Sequence, residues 1–248
     1  MLLQIVLIQR IIVALIFQVW PIFYLSYLTY KLLKRGRNKS TYSLSSVFIS
    51  NANAYLLTSL SVIFVFTPFA YYLYVFGIFF FIMGTAFFVV TSWVLVRLEK
   101  NTPYWLYHLW FIGYIVFSSY VIIVGFFFGG IKYDGSTGWI PTYSWFFLIL
   151  SWILLLIFMV IPQIILSVRL VKVFEGKVLK KRIYLFLIGV SFLFSLVFAL
   201  ILYNTWLDNE IYRIVYLFIF PLLGTIGSYL IYRSLVKSNP YYFQKSYL

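Results

Sequence analysis

The chain reads as an all-α polytopic membrane bundle of seven transmembrane helices, N-terminus outside and C-terminus inside. Three observations predict this. Seven continuous apolar stretches fill most of the 248 residues, 64% of which are hydrophobic. Charged residues are only 10%, against about 25% in soluble domains, and mean hydropathy is +1.01. The basic residues also gather on alternate connections. Sixteen of the 19 Lys and Arg lie in Lys31 to Lys39, Arg97 to Lys100, Arg169 to Arg182 and Arg233 to Lys245. Less Glu99 and Glu175, those segments carry the whole net charge of +14. Arg10, Lys132 and Arg213 balance Asp134, Asp208 and Glu210 on the other side. Loops rich in Lys and Arg stay cytoplasmic, which sets the orientation.

Each apolar run meets the need for about 20 residues to cross the hydrocarbon core, and its continuity excludes the alternation of a barrel strand. Helix 1 (about 11–33) follows Arg10, which snorkels to the outer headgroups. That arginine, with no small-residue cleavage site, argues against a signal peptide. Helix 2 (about 44–66) ends at Thr67-Pro68, helix 3 (about 70–96) at Arg97. Helix 4 (about 105–128) opens on Tyr104, Trp105, Tyr107 and Trp110, an interfacial aromatic belt that also takes in His108. Gly129 to Thr142, the longest outer connection, is turn chemistry anchored by Trp139; Tyr143 and Trp145 extend the outer belt. Helix 5 (about 143–170), helix 6 (about 183–206) and helix 7 (about 211–234) complete the set. The bulky runs Phe79 to Phe81 and Phe126 to Phe128 face lipid or fill packing space.

Residues 15–40 align without a gap on residues 156–181, with nine of 26 positions identical, Pro21 over Pro162 and Ser26 over Ser167. Helix 7 follows helix 3 at nearly the same offset, placing Gly224 and Thr225 over Gly84 and Thr85. This predicts a 3+1+3 parallel repeat. Residues 1–100 form the first three-helix half, 101–130 the linker helix 4, and 131–248 the outer loop, second half and short cytoplasmic tail.

Pro21, Pro162 and Pro221 fall inside helices 1, 5 and 7. A proline there deletes a backbone donor and bends the axis, and in lipid the freed carbonyl needs another partner. Ser26 and Ser167 stand close enough to serve. Kinks either open a cavity and act as pivots or simply improve packing. Close helix approach is expected at Gly77 and Gly84, at the pair Gly125 and Gly129, and at Gly224 with Ser228. These seams lie inside the bundle or against a second membrane subunit.

No Asp, Glu or Lys lies well inside a helix. Proton relays, ion-coupled pumps and voltage sensors need such charge, and a retinal protein needs a lysine that helix 7 lacks. Among the neutral groups left, Gln18, Asn51, Asn53 and Gln163 are the candidates for lining a solute-binding cavity. The alternative is interhelical glue worth about 1 kcal/mol per contact. With one histidine, no cysteine and no buried acid, catalysis and metal binding lack their parts, and no cofactor is expected. The basic residues cap apolar helices, so nucleic acid is excluded and anionic lipid headgroups are the expected partner of the inner loops. A homo-oligomer or a membrane partner would use the glycine seams. The Asn38-Lys39-Ser40 sequon faces the cytoplasm and stays unmodified.

The pair Pro162-Gln163, and Lys39-Ser40-Thr41 through Leu44-Ser45-Ser46 entering helix 2, resemble motifs of the PQ-loop and SWEET facilitator group. Helix 1 departs from that pattern with Pro21-Ile22, and Pro21 stands farther from Lys39. The resemblance implies a bundle in the cell membrane that moves a small neutral or amino-bearing solute without ion coupling. Kinked helices would be its gates, with Gln163 and the helix 2 asparagines near the path. The chain also resembles, more diffusely, the seven-helix input modules of prokaryotic sensor kinases and archaeal seven-helix proteins. That implies a receptor acting through a separate cytoplasmic partner. A structural subunit of a membrane complex is the third reading.

Overall fold

The computed structural model describes residues 2–36, 38–97, 103–173 and 176–236. Arg37, Glu99, Lys100, Glu175, Lys237 and Lys245 of the charge pattern lie outside them, as does the side chain of Arg10. Seven helical rods account for nearly all the described chain. They are α1 (Leu2–Arg35), α2 (Lys39–Ile63), α3 (Pro68–Val96), α4 (Tyr104–Ser118) continued by α5 (Tyr120–Phe127), α6 (Trp145–Leu155) continued by α7 (Ile161–Val173), α8 (Lys177–Thr205) and α9 (Glu210–Val236). Among the described residues, six rods, from α2 onward, are long and apolar enough to cross a membrane. Large apolar side chains cover their outer faces: Phe23, Phe127, Ile211 and Phe218 are each more than 60% exposed. Only lipid can cover so much apolar surface while every helix satisfies its own backbone. This is a helical bundle of the multi-pass integral membrane class.

The rod ends follow from local chemistry. Asn38 caps α2, its side chain accepting from the Thr41 N–H at 2.8 Å. Pro68 opens α3, where its missing donor costs nothing. Ser144 caps α6 by accepting from Phe147 N–H, and the side chain of Asn209 accepts from Tyr212 N–H at the start of α9. Several rods outrun the apolar stretches: α1 reaches back to Leu2, α2 begins at Lys39 and α8 at Lys177. Hydropathy marks the part of a rod that sits in hydrocarbon, whereas a helix continues into the interface wherever water or a cap satisfies its ends.

Two predicted rods are interrupted. The fourth breaks at Ser119, between α4 and α5. There the hydroxyls of Ser118 and Ser119 donate back to the carbonyls of Tyr114 and Ile115, a pattern that bends helices. The fifth carries a π-helical turn over Leu156–Val160, just before Pro162. That extra residue per turn absorbs the site where proline cannot donate.

The middle of the molecule is α3, which packs against α2, α4, α5, α7 and α8. Its run from Gly84 to Ser92 is buried throughout. The most extensive pairings are α2 with α3, α8 with α9 and α1 with α2, while α9 closes back on α1. Small residues permit these approaches. A Cβ on Gly77 would stand 2.7 Å from Thr58 Cγ2, and one on Gly84 2.7 Å from Asn51 Nδ2, so both glycines seat α2 on α3 inside the bundle. Gly224 faces Leu196 of α8, and Ser228 is buried. Gly125 makes only ordinary contact with Val75. Gly129 meets no other rod within the chain: nothing lies within 4 Å of a Cβ placed on it, and its φ of +58° ends α5 in the left-handed conformation. Its role inside the bundle is the turn, because glycine alone enters that region without steric cost.

The connection between α5 and α6 is a short antiparallel ladder, β1 (Ile131–Lys132) with β2 (Thr142–Tyr143). Asp134 caps a 3-10 turn over Gly135–Thr137 between them. The Ser136 hydroxyl beside it holds the Asp134 carboxyl below the usual carboxylate range. The predicted anchor, Trp139, is half-buried against Phe66 and Tyr133. The deeper anchors are Ile131, Tyr133 and Tyr143, at 1%, 3% and 5% exposure. Tyr143 therefore belongs to the core and not to an aromatic belt.

Candidate functional site

Most hydroxyls in the rods satisfy themselves. Thr29, Thr85, Thr91, Ser191, Ser195, Thr205 and Thr225 each donate to the carbonyl four residues back. Polar contacts between rods are few, so each one marks a place.

The first lies at α3 and α7. Gln163, 5% exposed, faces Ser92, which donates to its Oε1 at 3.0 Å and stands 2.9 Å from its Nε2. The same amide nitrogen reaches Ser167 at 3.4 Å. Nearby, Ser43 of α2 and Thr91 of α3 share a hydrogen bond of 2.9 Å. Gln163 is thus both tied to the central rod and placed at the edge of a groove. The groove, about 650 Å³ and open on one side, runs between α6–α7 and α8. Along α8 it extends from Leu187 to Leu202, about 22 Å at 1.5 Å per residue. Its walls are apolar, with Leu156, Phe194 and Phe198 among them, and its polar points are Gln163, Ser167, Ser191 and Ser195. Trp152 also borders it, and the buried indole N–H of Trp152 has no partner within the described chain.

The other three candidate solute residues lie elsewhere. Gln18 Oε1 accepts from Ser59 at 3.4 Å, across α1 and α2. Asn51 donates to Val47 O in its own helix and packs over Gly84. Asn53 is half-buried on α2. No described contact joins these residues to Gln163: Gln18, Asn51 and Gln163 occupy three different seams.

The prolines differ in the same way. Pro21 and Pro221 lie inside α1 and α9. Pro162 sits two residues after the end of the π-helical turn. The carbonyl four residues before it, at Phe158, accepts from the Tyr114 hydroxyl of α4 at 2.8 Å. Ser167 does not serve that carbonyl; its hydroxyl donates to Gln163 O. A neighbouring rod supplies the bond that the proline removes, as the hydrocarbon environment demands.

Sequence reasoning missed a second polar cluster, under the hairpin. Tyr74 of α3 and Tyr143 of β2 share a hydrogen bond of 2.8 Å, and Asn204 of α8 donates to the Tyr74 hydroxyl at 3.3 Å. Burial pushes the phenols of Tyr133 and Tyr143 up from their ordinary range, so both remain neutral hydrogen-bonding groups. Tyrosines in an aromatic-rich membrane chain read as belt residues, and only their distance from the lipid face distinguishes them. Also missed was a reciprocal approach of α8 and α9 at Gly189 and Gly227. The spacing of either glycine within its own helix carries no signal, because the pair lies across two helices.

Among the described residues no group of three or more His, Cys, Asp and Glu could hold a metal ion. The arrangement offers hydrogen bonds and apolar surface, which suit binding. Compared with protein-family models, with curated proteins and with solved structures, the chain matches none.

Proposed function

We propose that this integral membrane protein binds a small, largely apolar, uncharged solute in the groove between α6–α7 and α8 and facilitates its passage without ion coupling. One observation carries the reading. The groove combines apolar walls with the Gln163–Ser167 pair and the side chains of Ser191 and Ser195. Its volume of about 650 Å³ falls in the range of small-molecule sites. The π-helical turn and Pro162 at its edge supply a pivot, since both weaken the ladder of hydrogen bonds at one point. The resemblance of Pro162-Gln163 to the PQ-loop and SWEET-like motif points the same way. So does a correspondence between halves: Gly84 seats α3 against α2, and its repeat partner Gly224 faces α8 from α9. In this reading seven rods span the cell membrane, and the basic connections face the cytoplasm.

Flux into proteoliposomes, screened over sugars, amino acids and small apolar amides, tests the transport step. Uptake of at least one solute is expected above protein-free vesicles, indifferent to proton or sodium gradients. Gln163→Ala should lower it severalfold, because the change empties the groove edge and leaves Ser92 without its partner. No flux for any solute would remove the transport reading. Orientation is checked separately with single cysteines, which the wild-type chain lacks. Ser136→Cys on the exposed hairpin turn should react with an impermeant maleimide on intact cells. Lys180→Cys, exposed at the start of α8, should react only after lysis. The opposite pattern would invert the topology.

A further inference from the structure

The groove between α6–α7 and α8 has a direction. Leu156 and Ile164 form one lip and Ser191 and Ser195 the other, all exposed and all well inside rods apolar enough to cross a membrane. The open side therefore faces hydrocarbon, and a ligand enters sideways from the bilayer. The polar points gather toward the α7–α8 connection, where Gln163, Ser167 and Ser191 lie. Toward the hairpin the lining turns apolar, with Trp152, Phe198, Ala199 and Leu202. From Ser191 to Leu202 the wall runs about 16 Å at 1.5 Å per residue, which limits an alkyl chain laid along it to medium length.

The polar points also share one chemistry. A hydroxyl has a single proton and two lone pairs. Ser167 donates its proton to Gln163 O at 2.6 Å, Ser191 to Leu187 O at 3.0 Å and Ser195 to Ser191 O at 2.9 Å. The Gln163 amide nitrogen turns to Ser92 and Ser167, and the Trp152 N–H is too buried to reach a ligand. Among the described residues, the side chains lining the groove thus offer it lone pairs and no free donor. They also offer no charge.

We infer that the ligand of this groove is a neutral single-chain amphiphile drawn from the bilayer, a medium-length alkyl chain ending in a hydroxyl or a primary amide. Its tail lies along α8 toward Leu202, and its head donates to the oxygens of Ser191 and Ser195. An ether or ester brings only lone pairs, and a carboxylate adds a charge; in hydrocarbon neither finds a partner there. The inference rests on the groove being the site of the proposed function and names its ligand class. Occupancy and flux separate the two. Saturable binding without flux would remove transport and keep the site, whereas flux of another solute without such binding would remove only the amphiphile.

The test uses the full chain in phosphatidylcholine vesicles and a decan-1-ol analogue with a diazirine at its chain end. Doses are expressed per lipid, so that partitioning into the bilayer cancels. Irradiation should give saturable adducts, mapped by peptide mass spectrometry to the wall at Trp152, Phe198 and Leu202. Decan-1-ol and decanamide should compete, 1-methoxydecane and ionised decanoate severalfold less. Ser191→Ala with Ser195→Ala, at exposed positions, should erase the preference for alcohol over ether. Ser195→Phe should fill the groove and abolish labelling; if that variant does not fold, the alanine pair carries the test. The proposal fails if the adducts do not saturate or spread equally to the lipid-facing Ile211 and Phe218 of α9. It fails equally if the ether or decanoate matches the alcohol, or if the alanine pair keeps the preference.

Discussion

Alanine at Gly189 or at Gly227 should destabilise the bundle by about 1–3 kcal/mol each, the usual cost of forcing a methyl into filled space, and leucine at either should prevent folding. A Cβ on Gly189 would lie 2.7 Å from the Gly227 carbonyl oxygen and 2.7 Å from Ile231 Cγ1. A Cβ on Gly227 would lie 2.9 Å from the Gly189 carbonyl oxygen. In each case the obstacle includes backbone, which no rotamer change can relieve, so α8 and α9 must separate. Between helices in lipid, van der Waals packing is the main attraction, and separation forfeits it along the whole seam. Gly113 supplies the control. It sits exposed in α4 with nothing within 4 Å, and alanine there should be neutral or stabilising by up to about 1 kcal/mol through helix propensity. Thermal unfolding in detergent reads all three. An unchanged Tm for Gly227→Ala would mean that the two helices do not meet backbone to backbone.

The second large effect is expected at Tyr114. Phenylalanine there keeps the ring, which stacks on Trp110 at 6.2 Å, and deletes only the hydroxyl on the Phe158 carbonyl. An orphaned buried acceptor costs about 1–3 kcal/mol, and water is scarce beside it. The cause of the vacancy is Pro162, so the two positions should be coupled. In a Pro162→Ala background residue 162 regains an N–H and can serve Phe158 itself. Tyr114→Phe should then cost much less than in the wild type. A double-mutant cycle on Tm measures that coupling. Strict additivity would show that the Tyr114 bond has nothing to do with the proline.

Much of this architecture is legible in the sequence because lipid imposes a simple rule: a spanning rod must be apolar along its length. The rods α3 and α9 begin and end within a few residues of their apolar stretches. The rule says nothing about how rods are interrupted or extended. The Ser119 break depends on two serines bonding backward, and the π-helical turn on how the helix relaxes ahead of Pro162. Neither has a hydropathy signature. The polar candidates divide for a similar reason. Gln163 could be read as a cavity residue from its place beside Pro162, and it does border the groove. Gln18 and Asn51 carry the same chemistry, but their partners, Ser59 and Gly84, are decided by the rotation of α1 and α2 about their axes. A chain whose apolar residues surround each helix fixes that rotation poorly. Tyr74 and Tyr143 are hidden by the abundance of tyrosine, 23 in all. Gly129 misled because a G-x-x-x-G spacing also arises when the second glycine merely ends the helix.

The bond between Tyr74 and Tyr143, joined by Asn204, sets an order for assembly. Its members are 69 and 130 residues apart along the chain. The pairing of α2 with α3 can form as soon as a hairpin of adjacent rods has left the ribosome. The lock under the β-hairpin must wait until α8 has been synthesised and inserted. Until then the phenol of Tyr74 lacks its Asn204 donor beside the centre of a half-built protein. A quality-control protease or chaperone that samples nascent membrane chains would meet its exposed face during that interval and lose it once the latch closes.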